Sequence, residues 1–286
     1  MFPASLPLTP LDHDRASAGL RYVYPVVSRR AGGVSIGINL NVNNACNWRC
    51  VYCQVPDLVR GSAPPVDLPR LREELSGFLH EVLQGDFMVR RVPPESRRLN
   101  DIAISGNGEP TSAREFEGVV DLIGEVRRAM GVPAAVKTVL ITNGSLMGQA
   151  RVQAGVARLR AFQGEVWFKV DRTPGPAMRA VNGSRLGRDR VLDHLRACAE
   201  RCPTWIQTCM FAVDGAPPPP GELDDYLGFL EAAAGKGIGV EGVLLYSLAR
   251  PSLQPEAARL SALPQGWLDG LARRIRAIGL TARVTP

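Results

Sequence analysis

Three cysteines fall within one short stretch, Cys46-Asn47-Trp48-Arg49-Cys50-Val51-Tyr52-Cys53. The spacing is C-x3-C-x2-C. Such a loop can wrap one side of an iron–sulfur cubane and give one thiolate to each of three irons. A structural zinc site takes four ligands, usually as two separated pairs, and neither a second pair nor a neighbouring histidine is present. An electron-transfer ferredoxin uses a fourth cysteine, often followed by proline. Here the next cysteine is Cys198. Three ligands with one vacancy describe an iron left open for a substrate; the competing reading is three buried thiols or a partial zinc site.

Other candidates stand where apolar runs end. Ser105-Gly106-Asn107-Gly108-Glu109-Pro110-Thr111 follows one such run. Its glycines let the backbone approach a ligand without a Cβ, and Pro110 keeps Glu109 out of the helical region. A carboxylate there can accept hydrogen bonds from an ammonium group. A dinucleotide loop is the rival, but the third glycine is absent; a P-loop is excluded because no Gly-Lys-Ser/Thr follows. Asn143, in Thr142-Asn143-Gly144, either bonds a cofactor or its own backbone. In Val166-Trp167-Phe168-Lys169-Val170-Asp171, alternation puts Lys169 and Asp171 on one face. They either clamp a ligand or form an internal ion pair. Further on, Gln207 and Cys209 share a face opposite Thr208, and either set can reach a cavity. Cys198 and Cys202, one helical turn apart, can share a face with an auxiliary cluster in view, although buried cysteines more often serve as small apolar residues.

The elements that must position these residues alternate along the chain. Strands are predicted at 34–42, 101–105, 138–142, 166–170, 204–211 and 239–246, and helices at 68–83, 113–130, 147–161, 188–201, 223–234 and 268–278. Short apolar runs separated by helical periods describe repeated βα units on a parallel sheet. Periodicity alone leaves a barrel and a doubly wound sheet both open. No linker or internal repeat divides the chain, so a single domain spans 1–286: an irregular N-terminal arm over 1–33, a barrel core over 34–252, and a C-terminal helix and tail over 253–286.

The chain has 286 residues, 45% of them hydrophobic and 22% charged, which excludes a fibrous or disordered protein. No run is long enough for a membrane span, and the first residues lack the pattern of a secretory signal; the expected location is the cytoplasm, where clustered thiols bind metal or do redox chemistry rather than form disulfides. The net charge of +6 comes mainly from arginine, since Lys137, Lys169 and Lys236 are the only lysines. Arginines cluster at Arg29-Arg30, Arg90-Arg91, Arg97-Arg98 and between Arg185 and Arg190. A polyanionic partner is permitted but not demanded. Arg179, Arg185, Arg188 and Arg190, after the fourth predicted strand, suit a phosphate-bearing substrate or a solvated surface equally well.

The cysteine loop resembles the cluster motif of the radical S-adenosylmethionine superfamily. In order, the loop, Ser105 to Thr111, Thr142 to Gly144, Lys169 to Asp171, Asn182, Gln207-Thr208 and Tyr246 to Pro251 are most similar to its wyosine-synthase-like branch, over roughly 34–252. The resemblance implies an α/β fold, a partial parallel (β/α)6 barrel. It implies a [4Fe-4S] cluster on Cys46, Cys50 and Cys53, whose open iron is chelated by S-adenosyl-L-methionine. It places Tyr52 beside the adenine, Gly106 and Glu109 at the methionine amino group, Asn143 at the cofactor, and Lys169 with Asp171 near the carboxylate or ribose. It further implies an electron donor such as flavodoxin or ferredoxin and a small-molecule, peptide or tRNA substrate. Two departures are plain: no cysteine precedes Cys46, as a second cluster of that branch would require, and no flavodoxin domain is present. The alternative to an enzyme is an iron–sulfur carrier without its own substrate.

Overall fold

The computed structural model describes residues 8–9, 15, 18–28 and 32–285. Its sheet starts with a hairpin, in which β1 (Val23–Ser28) runs antiparallel to β2 (Gly33–Ile38). The short β3 (Ala45–Cys46) and β4 (Val59–Arg60) then pair with each other across the cysteine loop. After them come β5 (Leu99–Ile104), β6 (Lys137–Thr142), β7 (Gly164–Lys169) and β8 (Thr204–Cys209). The chain continues through β9 (Phe211–Val213), β10 (Gly242–Tyr246), β11 (Leu260–Ala262) and β12 (Ala282–Thr285). The main sheet has the order β1-β2-β5-β6-β7-β8-β10-β12, parallel throughout except for β1.

A helix follows each of the six predicted strands. α1 (Leu68–Leu83) and α2 (Phe87–Arg91) lie between β2 and β5, and α3 (Phe116–Ala129) and α4 (Ala150–Leu159) follow β5 and β6. α5 (Pro176–Asn182) and α6 (Arg188–Ala199) follow β7, α7 (Pro220–Gly235) follows β8, and α8 (Gln265–Ala277) follows β10. α1 shows how the sequence makes such a helix. Asp67 caps it by accepting a bond from the Arg70 amide at 3.0 Å, and proline sits in the first turn, where no backbone donor is required. Leu71, Leu75, Phe78, Leu79 and Val82 then bury one helical face. Glu74 is buried on that face because it accepts the amides of Arg21 and Tyr22 at 3.0 and 2.8 Å, which fixes the approach to β1.

Val26 and Val27 of β1 and Thr285 of β12 line the same cavity. Edges of a flat eight-stranded sheet lie about 33 Å apart at strand spacings of ~4.8 Å. The sheet therefore curls into a partial barrel, and the cavity opens at the C-terminal ends of its parallel strands, where ligands bind in such folds.

Four expectations need correction. The stretch expected to be an irregular arm contains β1, because Pro25 hides the strand signal and is tolerated only at a sheet edge. Residues 1–7, 10–14, 16–17 and 29–31, with Arg29 and Arg30, lie outside the described residues. The expected tail contributes β12 to the main sheet. The strand expected over 34–42 stops at Ile38, because the Asn39 side chain takes over the bonding and accepts the amides of Asn41 and Asn107 at 3.1 and 3.0 Å. The strand expected over 204–211 divides at Met210, and β9 leaves to pair with β11.

Candidate active site

The cysteine loop is docked on two sides. The last carbonyls of α5, which have no partner inside the helix, accept the loop amides: Val181 from Val51 at 2.9 Å and Asn182 from Arg49 at 3.0 Å. On the other side Ser252 donates to the Val51 carbonyl at 2.7 Å, and Gln254 donates to those of Cys53 and Val55 at 3.3 and 3.0 Å. Asn47 ties the loop to the end of β6 by donating to Ser145 at 2.8 Å and accepting from Asn143 at 2.8 Å. Trp48 is buried beneath it. With the backbone held this way, Cys46, Cys50 and Cys53 are half-exposed, whereas Cys198, Cys202 and Cys209 are buried.

Glu109 adopts the extended backbone expected before Pro110 and is only 2% exposed. Its Oε1 accepts the Thr111 amide at 3.2 Å and the hydroxyls of Thr111 and Thr142, both at 2.6 Å. Its Oε2 accepts the Asn143 amide at 2.6 Å. Burial raises its pKa above the usual carboxylate range, and these donors oppose the shift. The carboxylate thus latches the ends of β5 and β6 together. Asn143 also accepts the Ser145 amide at 3.0 Å, so its side chain serves the turn and the cysteine loop at once. The two glycines also have a packing reason. A Cβ on Gly106 would collide with the Asn39 side chain, and one on Gly108 with the Ala45 carbonyl, so the protein's own packing demands them.

Lys169 and Asp171 do lie together, with Nζ 3.8 Å from Oδ2. Lys169 also stands over the Tyr52 ring, 5.0 Å from its centroid. Burial opposes its charge, but Asp171, with Tyr246 and the thiols of Cys50 and Cys209, outweighs burial and holds the ammonium above its ordinary pKa. Asp171 is fully buried and does not line the cavity. Its Oδ1 accepts the Cys209 amide at 2.8 Å; its Oδ2 accepts the Tyr52 hydroxyl at 2.5 Å and Asn182 Nδ2 at 2.7 Å. Both oxygens of Asp171 are thus engaged by protein, and through Oδ2 it holds the cavity-lining Tyr52 in place.

The cavity has a volume of about 290 Å³. All three loop cysteines line it. So do Tyr52, Gly106, Glu109, Asn143 and Lys169. Cys209 reaches the cavity, while Thr208 on the opposite face bonds the Tyr226 hydroxyl at 2.6 Å. Gln207 is buried, and its Oε1 has no partner. Arg250, within the Tyr246 to Pro251 element, and Arg15, which sequence reasoning missed, also line the cavity. Neither lies in an arginine cluster. Arg179, Arg185, Arg188 and Arg190 are exposed and line no part of the cavity; Arg188 donates instead to the Gly228 carbonyl at 2.7 Å. Cys198 and Cys202 pack in the apolar core.

Three sulfur donors at one cavity edge suit a soft-ligand centre such as an iron–sulfur cluster. Among the described residues no group of His, Cys, Asp or Glu closes round a single ion; a cubane needs less convergence, because each thiolate reaches a different iron. Burial pushes the Cys46 thiol up to about 11 and the Cys50 thiol up to about 12, so these groups become thiolates only against a cation that offsets the lost solvation.

No protein-family model matches the chain. Among solved structures it is similar to TYW1 with a lysine-pyruvate adduct bound, at a TM-score of 0.56 and 18% identity over 87% of this chain and 74% of that one. A radical SAM methyltransferase from Sphaerobacter thermophilus matches at a TM-score of 0.58 and 13% identity, over 88% of this chain and 66% of that one. Spore photoproduct lyase with bound AdoMet and dinucleoside spore photoproduct matches at 0.55 and 9%, over 85% and 74% of the two chains. The chain has the partial-barrel fold of the radical SAM enzymes. Among curated proteins, it is 28% identical over 177 residues to the UPF0026 protein MJ1312 of Methanocaldococcus jannaschii, covering 60% of this chain and 46% of that protein. It is also 28% identical over 123 residues to the GTPase Obg of Brachyspira hyodysenteriae, covering 43% of this chain and 15% of that protein. The chain thus spans less than half the length of either. No helix among the described residues is long and apolar enough to cross a membrane.

Proposed function

We propose that the chain is a radical S-adenosylmethionine enzyme that binds a [4Fe-4S] cluster on Cys46, Cys50 and Cys53. The observation that carries this reading is the setting of the three cysteines: on one loop, all lining one cavity at the C-terminal ends of parallel strands. When bound, the cluster supplies the single electron that cleaves S-adenosyl-L-methionine into methionine and a 5′-deoxyadenosyl radical able to take hydrogen from a substrate.

The chain's residues bind and orient. Each carboxylate oxygen offers about two acceptor positions. Glu109 has three donors on Oε1 and one on Oε2, so capacity for the methionine ammonium remains on Oε2. Lys169, held charged at the cavity wall, pairs with the methionine carboxylate. Tyr52 presents its ring to the adenine, fixed through its hydroxyl by Asp171. The curled sheet and the loop exclude water from the reacting atoms. Arg15, Lys169 and Arg250 give the cavity a cationic lining that suits a phosphate- or carboxylate-bearing substrate. The electron comes from a flavodoxin- or ferredoxin-type donor.

The test is anaerobic reconstitution with iron and sulfide, then incubation with dithionite and S-adenosyl-L-methionine. Formation of 5′-deoxyadenosine is expected. A stably loaded protein that forms none would favour an iron–sulfur carrier. An RNA substrate would show binding that weakens steeply with salt, by roughly 0.7–0.9 in logarithmic slope per phosphate contact.

A further inference from the structure

We infer, building on the proposed cluster site, that Asn182 is a positioning residue that raises the cluster's reduction potential by donating a hydrogen bond to the Cys50 sulfur. Asn182 is the last residue of α5 and is fully buried. Its Nδ2 stands 3.3 Å from Cys50 Sγ and 2.7 Å from Asp171 Oδ2. An amide nitrogen carries two hydrogens, and these two acceptors use both.

The orientation of that amide decides the argument, because its oxygen and nitrogen have nearly the same shape. Asp171 settles it. An ionised carboxylate only accepts, so a flipped amide would set Oδ1 against Oδ2 of Asp171 and leave Nδ2 without these partners. Asp171 is itself fixed by the Cys209 amide and the Tyr52 hydroxyl. The Asn182 backbone is equally fixed, since its carbonyl accepts the Arg49 amide inside the cysteine loop. The sulfur therefore meets a donor that cannot turn away. The cost is visible: Asn182 Oδ1 is buried without a partner among the described residues.

A cluster gains negative charge when it takes up one electron, and no bond forms or breaks. A donor aimed at a ligating sulfur stabilises the more negative form, and hydrogen bonds to the sulfurs are among the factors that set such potentials. Two charges also act on Cys50: Lys169 favours added negative charge and Asp171 opposes it. Asn182 adds a neutral donor on the side of Lys169 and turns Asp171 from an opposing charge into the group that aims the donor.

The experiment compares wild type with Asn182→Leu. Both are reconstituted anaerobically, iron content is measured, and each is titrated with dithionite and redox mediators while the reduced cluster is followed by electron paramagnetic resonance. At the wild-type midpoint the variant's ratio of reduced to oxidised cluster should be about tenfold lower, a downward shift of about 59 mV for one electron. Equal midpoints at equal iron content would overturn the inference. Should Asn182→Leu lose its cluster, Asn182→Ala decides the matter, because its short side chain removes the donor without adding bulk; it should shift in the same direction, and an unchanged midpoint overturns the inference. A wild type that takes up no cluster defeats the underlying enzyme reading as well, a result distinct from a loaded wild type whose variant titrates identically.

Discussion

The six cysteines form two trios, and their surroundings separate them. Cys46, Cys50 and Cys53 lie on a loop whose backbone is occupied by α5 and by residues 252–254, and all three are partly buried residues that line the cavity. Cys198 and Cys202 lie on and just after α6, in the apolar core, where Cys202 donates to the Gly164 carbonyl at 3.3 Å. Cys209 stands apart from both, buried at the cavity wall. One trio converges on a shared space; the other shares none. Spacing suggests a metal site, but exposure and convergence decide whether one exists.

The largest expected effect tests that contrast directly. Cys50→Ala should lose bound iron, the visible sulfur-to-iron absorbance and 5′-deoxyadenosine formation together, whereas Cys198→Ala should keep all three. Full iron content in Cys50→Ala would erase the distinction between the trios.

Next in size is Glu109, which shares the cavity with the open trio. Glu109→Gln should weaken S-adenosyl-L-methionine binding to the reconstituted protein by roughly tenfold to a hundredfold, the value of a charged hydrogen bond at about 1.5–3 kcal/mol. Calorimetry showing unchanged affinity would confine Glu109 to its latch between β5 and β6.

A smaller effect belongs to the buried trio. Cys198→Ser places a hydroxyl in an apolar core and should cost about 1–3 kcal/mol in urea unfolding of the apoprotein, with iron binding after reconstitution unaffected. Loss of iron alongside stability would give Cys198 a ligating role.

The smallest is a pH effect on the same helix. His194, buried in α6, has Nδ1 at 2.9 Å from the Gly144 carbonyl. Burial lowers its pKa below the ordinary 6.5, and the Gly144 carbonyl only partly offsets this. The unfolded chain therefore binds the proton more readily. The stability from neutral His194 is fully present above about 6.5 and is lost as pH falls through the depressed folded value, by no more than ~1.4 kcal/mol per pH unit. His194→Gln should flatten that part of the apoprotein's stability curve. Identical slopes in the two proteins would show that His194 binds its proton equally well in the folded and unfolded states.

Much of the fold was legible because helix and strand periods are strong here. α1 has the predicted bounds, and the other five predicted helices differ mainly at their ends. What escaped was held by tertiary context. β1 contains a proline that only an edge strand tolerates, and the four-residue β12 depends on β10 for its pairing. In the site, the sequence marks the residue types but not which atoms they spend on each other. Alternation placed Lys169 beside Asp171, yet only the structure shows Asp171 drawn under the cavity by Tyr52, Asn182 and the Cys209 amide. Arg15 reaches the cavity from a segment without periodicity, so no pattern could single it out, whereas Arg250 lies in the Tyr246 to Pro251 element that the resemblance marked.

The curl that brings β1 and β12 to one cavity also orders events during synthesis. The three loop thiols leave the ribosome early, but the wall completed by Thr285 emerges only after nearly the whole barrel has been translated. A domain of this kind folds as a unit, and pairings between distant segments form slowly. Until then the thiols belong to a nascent chain with an unfinished wall, open to oxidants and to any passing metal. Enclosure of the cavity thus waits for β12, and a truncation before β12 would leave the three cysteines without Thr285 at the cavity wall.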